Sequence, residues 1–166
     1  MALSDIFAPY NIFYTLHLIG LIFGLGGVTA TDMLSAYGLH FNPKVLPKVV
    51  GMFSTISVMI WIGLFLIIGS GIVLWAISMP DEVYGEKVSS WPYYLKLALT
   101  GLATLNGLFL NIIVTPAWEK AVALEDFRTT KEYKKAFKLG FVSGGLSFVC
   151  WWAAFFLGVY IFRVLE

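Results

Sequence analysis

Four long apolar runs separated by short polar segments dominate the sequence. The runs cover residues 12–31, 55–77, 94–114 and 138–162. Each is close to the ~20 residues that a helix needs to cross the hydrocarbon of a bilayer, whereas strands of a membrane barrel alternate over ~10 residues. The pattern therefore predicts an all-α fold: a single transmembrane domain over residues 1–166, arranged as an integral membrane four-helix bundle.

The composition agrees with a chain surrounded by lipid. Hydrophobic residues make up 59% of the sequence and charged residues only 13%, which is far from the balance of soluble domains. A net charge of +1 and the lack of a basic stripe with interleaved aromatic residues exclude nucleic acid as a partner. The sequence has no P-loop, HExxH, CxxC or GxSxG motif, so it assigns no catalytic residue.

The distribution of basic residues predicts the orientation in the membrane. Lysine and arginine in short loops remain on the cytoplasmic side. Eight of them flank or lie within the first and third connections, and three lie on the opposite side. The eight are Lys44, Lys48, Lys120, Arg128, Lys131, Lys134, Lys135 and Lys138, and the three are Lys87, Lys96 and Arg163. We therefore expect both termini outside (N-out/C-out).

The connection before the fourth run carries a helix start signal. Thr129 and Glu132 have the spacing of a capping box, in which a threonine and a glutamate each bind a free backbone N–H of the first helical turn. This pattern predicts that runs three and four extend past the bilayer as a helical hairpin.

The first run carries a histidine on a glycine-rich face, in the stretch HLIGLIFGLGGVTATD. At 100° per residue, His17 shares one face with Gly20, Gly24 and Gly27, and Asp32 lies at its edge. Such glycines permit either a neighbouring helix or a flat cofactor to approach the backbone. The glycines alone leave both uses open.

His17 is costly in an apolar run unless it faces a partner, a cavity or a metal. A neutral histidine bonded to a neighbouring helix and a metal-binding or proton-carrying histidine are both consistent with this position. His40 lies 23 residues further along, roughly 35 Å on an unbroken helix, so the two histidines cannot bind one iron within a single chain. The second ligand of such an iron, on the side opposite His17, would be Lys96, a methionine such as Met79 or Met59, or solvent. The fourth alternative is an iron with no ligand on that side.

Other polar residues lie within or beside the apolar runs. Lys96 is either a lysine extending to the membrane surface or a cation facing an acidic group beside His17. Asp32 is either a solvated anion at the end of a span or part of a proton path. Asn106 and Asn111 are buried amides that we expect to form hydrogen bonds between helices.

Three segments carry a family resemblance: LHLIGLIFGLGG, GSGIVLW and WPYYLKLALTGLATLNG. With this four-span layout, the chain resembles the group that includes the copper-resistance D membrane domain and the HemJ-type protoporphyrinogen oxidases. The resemblance implies that His17 binds the iron of haem b, that Lys96 belongs to the same site, and that the protein resides in a bacterial cytoplasmic membrane.

Three functions follow as expectations. The first is a pocket between helices in the outer leaflet, formed by His17, Gly20, Gly24, Gly27 and Lys96, that binds haem b for redox or tetrapyrrole chemistry. The second is a non-catalytic membrane subunit or scaffold that docks partner proteins through its glycine-rich helix faces. The third is a small oligomeric transporter or proton channel. Membrane lipid and either a second copy of the chain or a membrane-complex partner are the expected partners.

Overall fold

Four long helical segments form the bundle in the computed structural model, which describes residues 8–78 and 90–163. The helices are α1 (Pro9–His40), α2 (Leu46–Ser78), α3 (Trp91–Phe109), α4 (Thr115–Val122) and α5 (Lys131–Arg163). No strand occurs in these two ranges, and four segments are long and apolar enough to cross a membrane. The predicted all-α four-helix membrane bundle is confirmed. Met79, a candidate iron ligand, and Lys87, a basic residue used to predict the orientation, lie outside the described residues.

All four helical segments extend past the predicted spans at the same end of the bundle. We call it the loop end, because it holds the connections 41–45 and 123–130. There α1 ends at His40 and α2 begins at Leu46, while α4 ends at Val122 and α5 begins at Lys131. The helices continue seven to nine residues past the apolar runs at this end, roughly 10–14 Å of helix. Hydropathy changes at a membrane surface, but helical hydrogen bonding does not stop there.

The third span contains a π-helical turn, Leu110–Val114, that joins α3 to α4. Pro116 follows directly in the first turn of α4. Proline has no backbone N–H, and its ring collides with the carbonyl four residues earlier in a regular helix. The wider π turn accommodates this proline, so the helix continues past Val114 to Val122.

Two helix pairs make up the bundle. Helix α1 packs along α2, and α3 packs along α5, while α1–α5 and α2–α4 contacts connect the pairs. One buried cluster lies in the middle of the bundle and a second lies at the loop end. The first contains Val28, Leu64, Ile67, Ala103, Cys150 and Trp151, and the second contains Leu46, Val50, Val114, Trp118, Ala121 and Ala136. Large apolar side chains on the outside, such as Ile22, Phe65 and Phe141, suit contact with lipid.

Glycines allow α1 and α2 to pack with their backbones in contact. A Cβ atom at Gly63 would overlap the backbone nitrogen of Gly24, and one at Gly20 would lie 2.8 Å from the carbonyl oxygen of Gly63. At Gly24 a Cβ would also overlap the indole of Trp151, and Gly27 faces a side chain of α2 at 2.7 Å. Of the two uses expected for the glycine face, this is close helix packing.

Helix α5 begins one residue later than the capping box predicted. The hydroxyl of Thr130 accepts the Tyr133 N–H at 3.1 Å, while the Thr129 hydroxyl donates to the Asp126 carbonyl at 3.0 Å. Thr130 is therefore the N-cap, and Glu132 is not at the third helical position that a capping box requires. Asp126 adopts a left-handed conformation, φ 51°, and its turn displaces the start of the helix.

Candidate functional site

Two cavities lie between the helices, one toward each end of the bundle. The His17 cavity, about 290 Å³, lies toward the end where α1 begins and has Tyr14, His17, Lys96 and Thr100 in its wall. The Asp32 cavity, about 540 Å³, lies toward the loop end and has Asp32, Ser57, Asn111 and His40 in its wall. The structure thus brings together His17 and Lys96, as the sequence suggested, and places Asp32 in a separate space.

His17 faces protein and is bound to α2. Its Nδ1 atom lies 3.0 Å from Oγ of Ser70. The Ser70 hydroxyl has one proton, and it donates this proton to the carbonyl of Leu66. In the tautomer with the proton on Nδ1, the imidazole donates to Ser70 Oγ. In this tautomer Nε2 keeps its lone pair, and residues 8–78 and 90–163 contain no hydrogen-bond donor to it.

Lys96 brings a cation to the same cavity. Its Nζ lies 3.4 Å from the position that a Cβ atom at Gly158 would occupy, so this glycine makes room for the ammonium group. Within the described part of the chain, no carboxylate lies within the 4.0 Å of an ion pair with Lys96. Thr100, one turn later, donates its hydroxyl proton to the Lys96 carbonyl at 2.9 Å. The cavity therefore presents an imidazole and a lysine side chain.

The remaining wall of the His17 cavity is largely apolar. It includes Leu21, Ile67 and Phe155, and also the thiol-bearing Cys150. The sequence interpretation missed Cys150 as a wall residue and Ser70 as the partner of His17. A signal for Ser70 was present, because it lies between two glycines about seven residues from the end of its apolar run, at nearly the depth of His17.

The three candidate glycines of α1 lie at helix contacts. Gly20, Gly24 and Gly27 are buried and belong to the wall of neither cavity. They act on the site indirectly, because their contacts with α2 and Trp151 fix the distance between the helices that carry His17 and Ser70.

Asp32 lies inside the bundle instead of at a helix end. Helix α1 continues for eight residues beyond it, and its Oδ2 atom is buried and accepts no hydrogen bond from the described residues. Its Oδ1 atom lies 3.3 Å from the position of a Cβ at Gly144 of α5. Asp32 therefore lies at the end of its apolar run but not at the end of its helix, because the helix extends further than the run.

The two asparagines connect helices, as expected from the sequence. Asn106 donates to the carbonyl of Ser143 at 2.8 Å and accepts the hydroxyl proton of the same serine at 2.7 Å. Asn111, in the π turn, accepts a hydrogen bond from the hydroxyl of Ser57. These bonds join the third span to α5 and to α2, and they satisfy polar groups that lipid could not.

A single layer of side chains separates the two cavities. Leu64, Ala103 and Trp151 belong to the walls of both, and each is at most 7% exposed. The indole of Trp151 packs against Gly24. These three residues, which we call the separating layer (Leu64, Ala103, Trp151), lie between the two cavities.

The His17 cavity offers one ligand group of the kind that holds a haem iron. An imidazole with Nδ1 bonded to protein and Nε2 free has the arrangement of a metal-binding histidine, whose second nitrogen is usually fixed by a hydrogen bond. Lys96 suits an acidic substituent. His40 lies at the other cavity, and within the described ranges no three His, Cys, Asp or Glu residues group as a metal cluster. The site therefore offers a single imidazole.

Comparisons with known proteins assign no family: no family model, no curated protein and no solved structure matches the chain.

Proposed function

We propose that this membrane protein binds haem b, or a closely related tetrapyrrole, in the His17 cavity. The observation that carries the proposal is the hydrogen bond between His17 Nδ1 and Ser70 Oγ, because an Nδ1–H that donates to Ser70 leaves Nε2 as an electron-pair donor on a residue of the cavity wall. His17 would be the axial ligand. Haem held there would supply one-electron redox chemistry.

Lys96 would bind an acidic group of the ligand. It is a cation in a mostly apolar cavity with no carboxylate in ion-pairing distance within the described residues. A charge in such surroundings is stabilised by an opposite charge, and a propionate supplies one. The imidazole and the ammonium group would thus recognise the two chemically distinct parts of one amphipathic ligand.

The absorption spectrum of the purified protein tests the proposal. The wild type and the His17→Ala and His40→Ala variants are purified in detergent, mixed with haemin and freed of excess haemin. We expect a protein-bound Soret band for the wild type and for His40→Ala, the matched control. We expect it to be lost or strongly shifted for His17→Ala. A colourless wild type would contradict the proposal and would favour the scaffold function.

A second candidate function is transport across the membrane, favoured by the two cavities. They lie one above the other and share only the separating layer as a common wall. A rearrangement of Trp151 would connect them into one passage, with polar groups at both ends. In this function His17 and Asp32 would be relay groups on opposite sides of the layer.

The proposed setting is a bacterial cytoplasmic membrane, with both termini outside and the chain assembled with a second copy or a larger membrane complex. The His17 cavity would then lie in the outer leaflet and the Asp32 cavity in the inner leaflet.

A further inference from the structure

The Asp32 cavity has an unusual balance of charge. Its wall contains one carboxylate, Asp32, and no lysine or arginine. The imidazole of His40 is also in the wall, but its Nδ1–H donates to the Ala36 carbonyl at 3.1 Å. His40 lies eight residues from Asp32 on the same helix, roughly 12 Å away along the axis. An ionised Asp32 therefore makes the cavity negative.

The carboxylate of Asp32 lacks a partner within the described part of the chain. Its Oδ2 atom is buried and unbonded, and no basic side chain in residues 8–78 or 90–163 forms an ion pair with it. Burial of a charge is costly unless another charge compensates it. A cationic ligand in the cavity would provide that compensation.

The rest of the wall favours an organic cation over a metal ion. Four phenylalanines and three tryptophans line the cavity, and aromatic faces attract ammonium-type cations. The polar groups are largely used within the protein, since Ser57 bonds Asn111 and Thr31 bonds the Gly27 carbonyl. A volume of about 540 Å³ suits a drug-sized molecule, because such sites span ~300–1,000 Å³.

We propose that the Asp32 cavity binds a monovalent organic cation with an apolar or aromatic body, with the Asp32 carboxylate as its counter-ion and the aromatic wall around its body. This site is separate from the proposed haem site and does not depend on it.

Equilibrium dialysis with labelled tetraphenylphosphonium tests this proposal on the purified full-length chain. Tetraphenylborate has nearly the same size and shape with the opposite charge, so it serves as the ligand control. We expect the wild type to bind the cation and to bind the anion far more weakly. Asp32→Asn keeps the shape of the side chain and removes its charge, and we expect binding to weaken roughly tenfold or more.

Two further variants test whether the loss of binding is specific to the Asp32 carboxylate. Asp126→Asn removes a carboxylate at the loop end that is not in the cavity wall, and it should bind like the wild type. Asp32→Glu restores the charge and should regain most of the affinity. Equal binding of cation and anion by the wild type would overturn the proposal without any variant, as would unchanged affinity in Asp32→Asn.

Discussion

The Nδ1 atom of His17 lies 3.0 Å from the hydroxyl oxygen of Ser70, 53 residues away in the sequence. This bond joins α1 to α2, and it holds the Nδ1 side of the ring against Ser70. A histidine that otherwise would be costly in a membrane helix is thereby bonded through Nδ1, and the same residue lines a cavity. The structural and the ligand-binding interpretations of His17 are thus compatible.

Removal of the Ser70 hydroxyl tests the role of this bond. Ser70→Ala leaves His17 in place but frees Nδ1, so the ring loses its fixed orientation. We expect a roughly 10–100-fold loss of haem affinity, the usual cost of losing such an outer partner, measured by haemin titration. Ser54→Ala, at an exposed position on the same helix, is the matched control. Equal affinities in both variants would show that the bond does not support ligand binding.

The glycine contact between α1 and α2 predicts a clear difference between two alanine substitutions on α2. At Gly63 a Cβ would overlap the backbone of α1, whereas at Gly69 it would meet nothing within 4 Å. We expect Gly63→Ala to destabilise the protein by about 1–3 kcal/mol through overpacking, and Gly69→Ala to be neutral or stabilising by up to ~1 kcal/mol. Unfolding of the helical signal in denaturing detergent measures both, and similar stabilities would argue against the close contact.

Truncation of Trp151 tests the separating layer. Trp151→Ala would remove the largest side chain of this layer and connect the two cavities. We expect faster proton equilibration in proteoliposomes that contain a pH-sensitive dye than with the wild type. Trp152→Ala, next in sequence but in the wall of neither cavity, should behave like the wild type. A Trp151→Ala protein as impermeable as the wild type would count against a passage through the bundle.

Cysteine labelling tests the predicted orientation. In a Cys150→Ser background, single cysteines replace Trp91, at the start of α3, and Glu125, in the α4–α5 connection; both native side chains are exposed. With both termini outside, a membrane-impermeant maleimide should label the cysteine at position 91 in intact cells and the one at position 125 only after permeabilisation. The reverse pattern would invert the topology.

The sequence predicted the number and type of the helices because apolar runs of this length have few alternatives in a membrane. It also predicted that His17 and Lys96 belong to one site, since both are polar groups at a similar depth in separate spans. The apolar runs did not mark the helix ends at the loop end, nor show that Asp32 lies eight residues before the end of α1, because hydropathy marks the lipid boundary and not the end of helical hydrogen bonding.

The identity of neighbours across the bundle was beyond the reach of the sequence. The glycine face of α1 indicated close approach, but one helix alone does not show what approaches it. In the structure α2 and Trp151 pack against this glycine face, and the His17 cavity lies beside the face. Ser70 and the separating layer depend on the packing of all four spans, so local patterns did not reveal them.

Chemical rescue of a histidine deletion tests the central claim, that His17 provides the ligand nitrogen in its cavity, most directly. His17→Gly protein is mixed with haemin, and spectra are recorded with and without added imidazole. We predict that the wild-type Soret band is lost in His17→Gly and returns when imidazole is added, because the free base enters the vacated space. Identical spectra for the wild type and His17→Gly, with no response to imidazole, would contradict the claim.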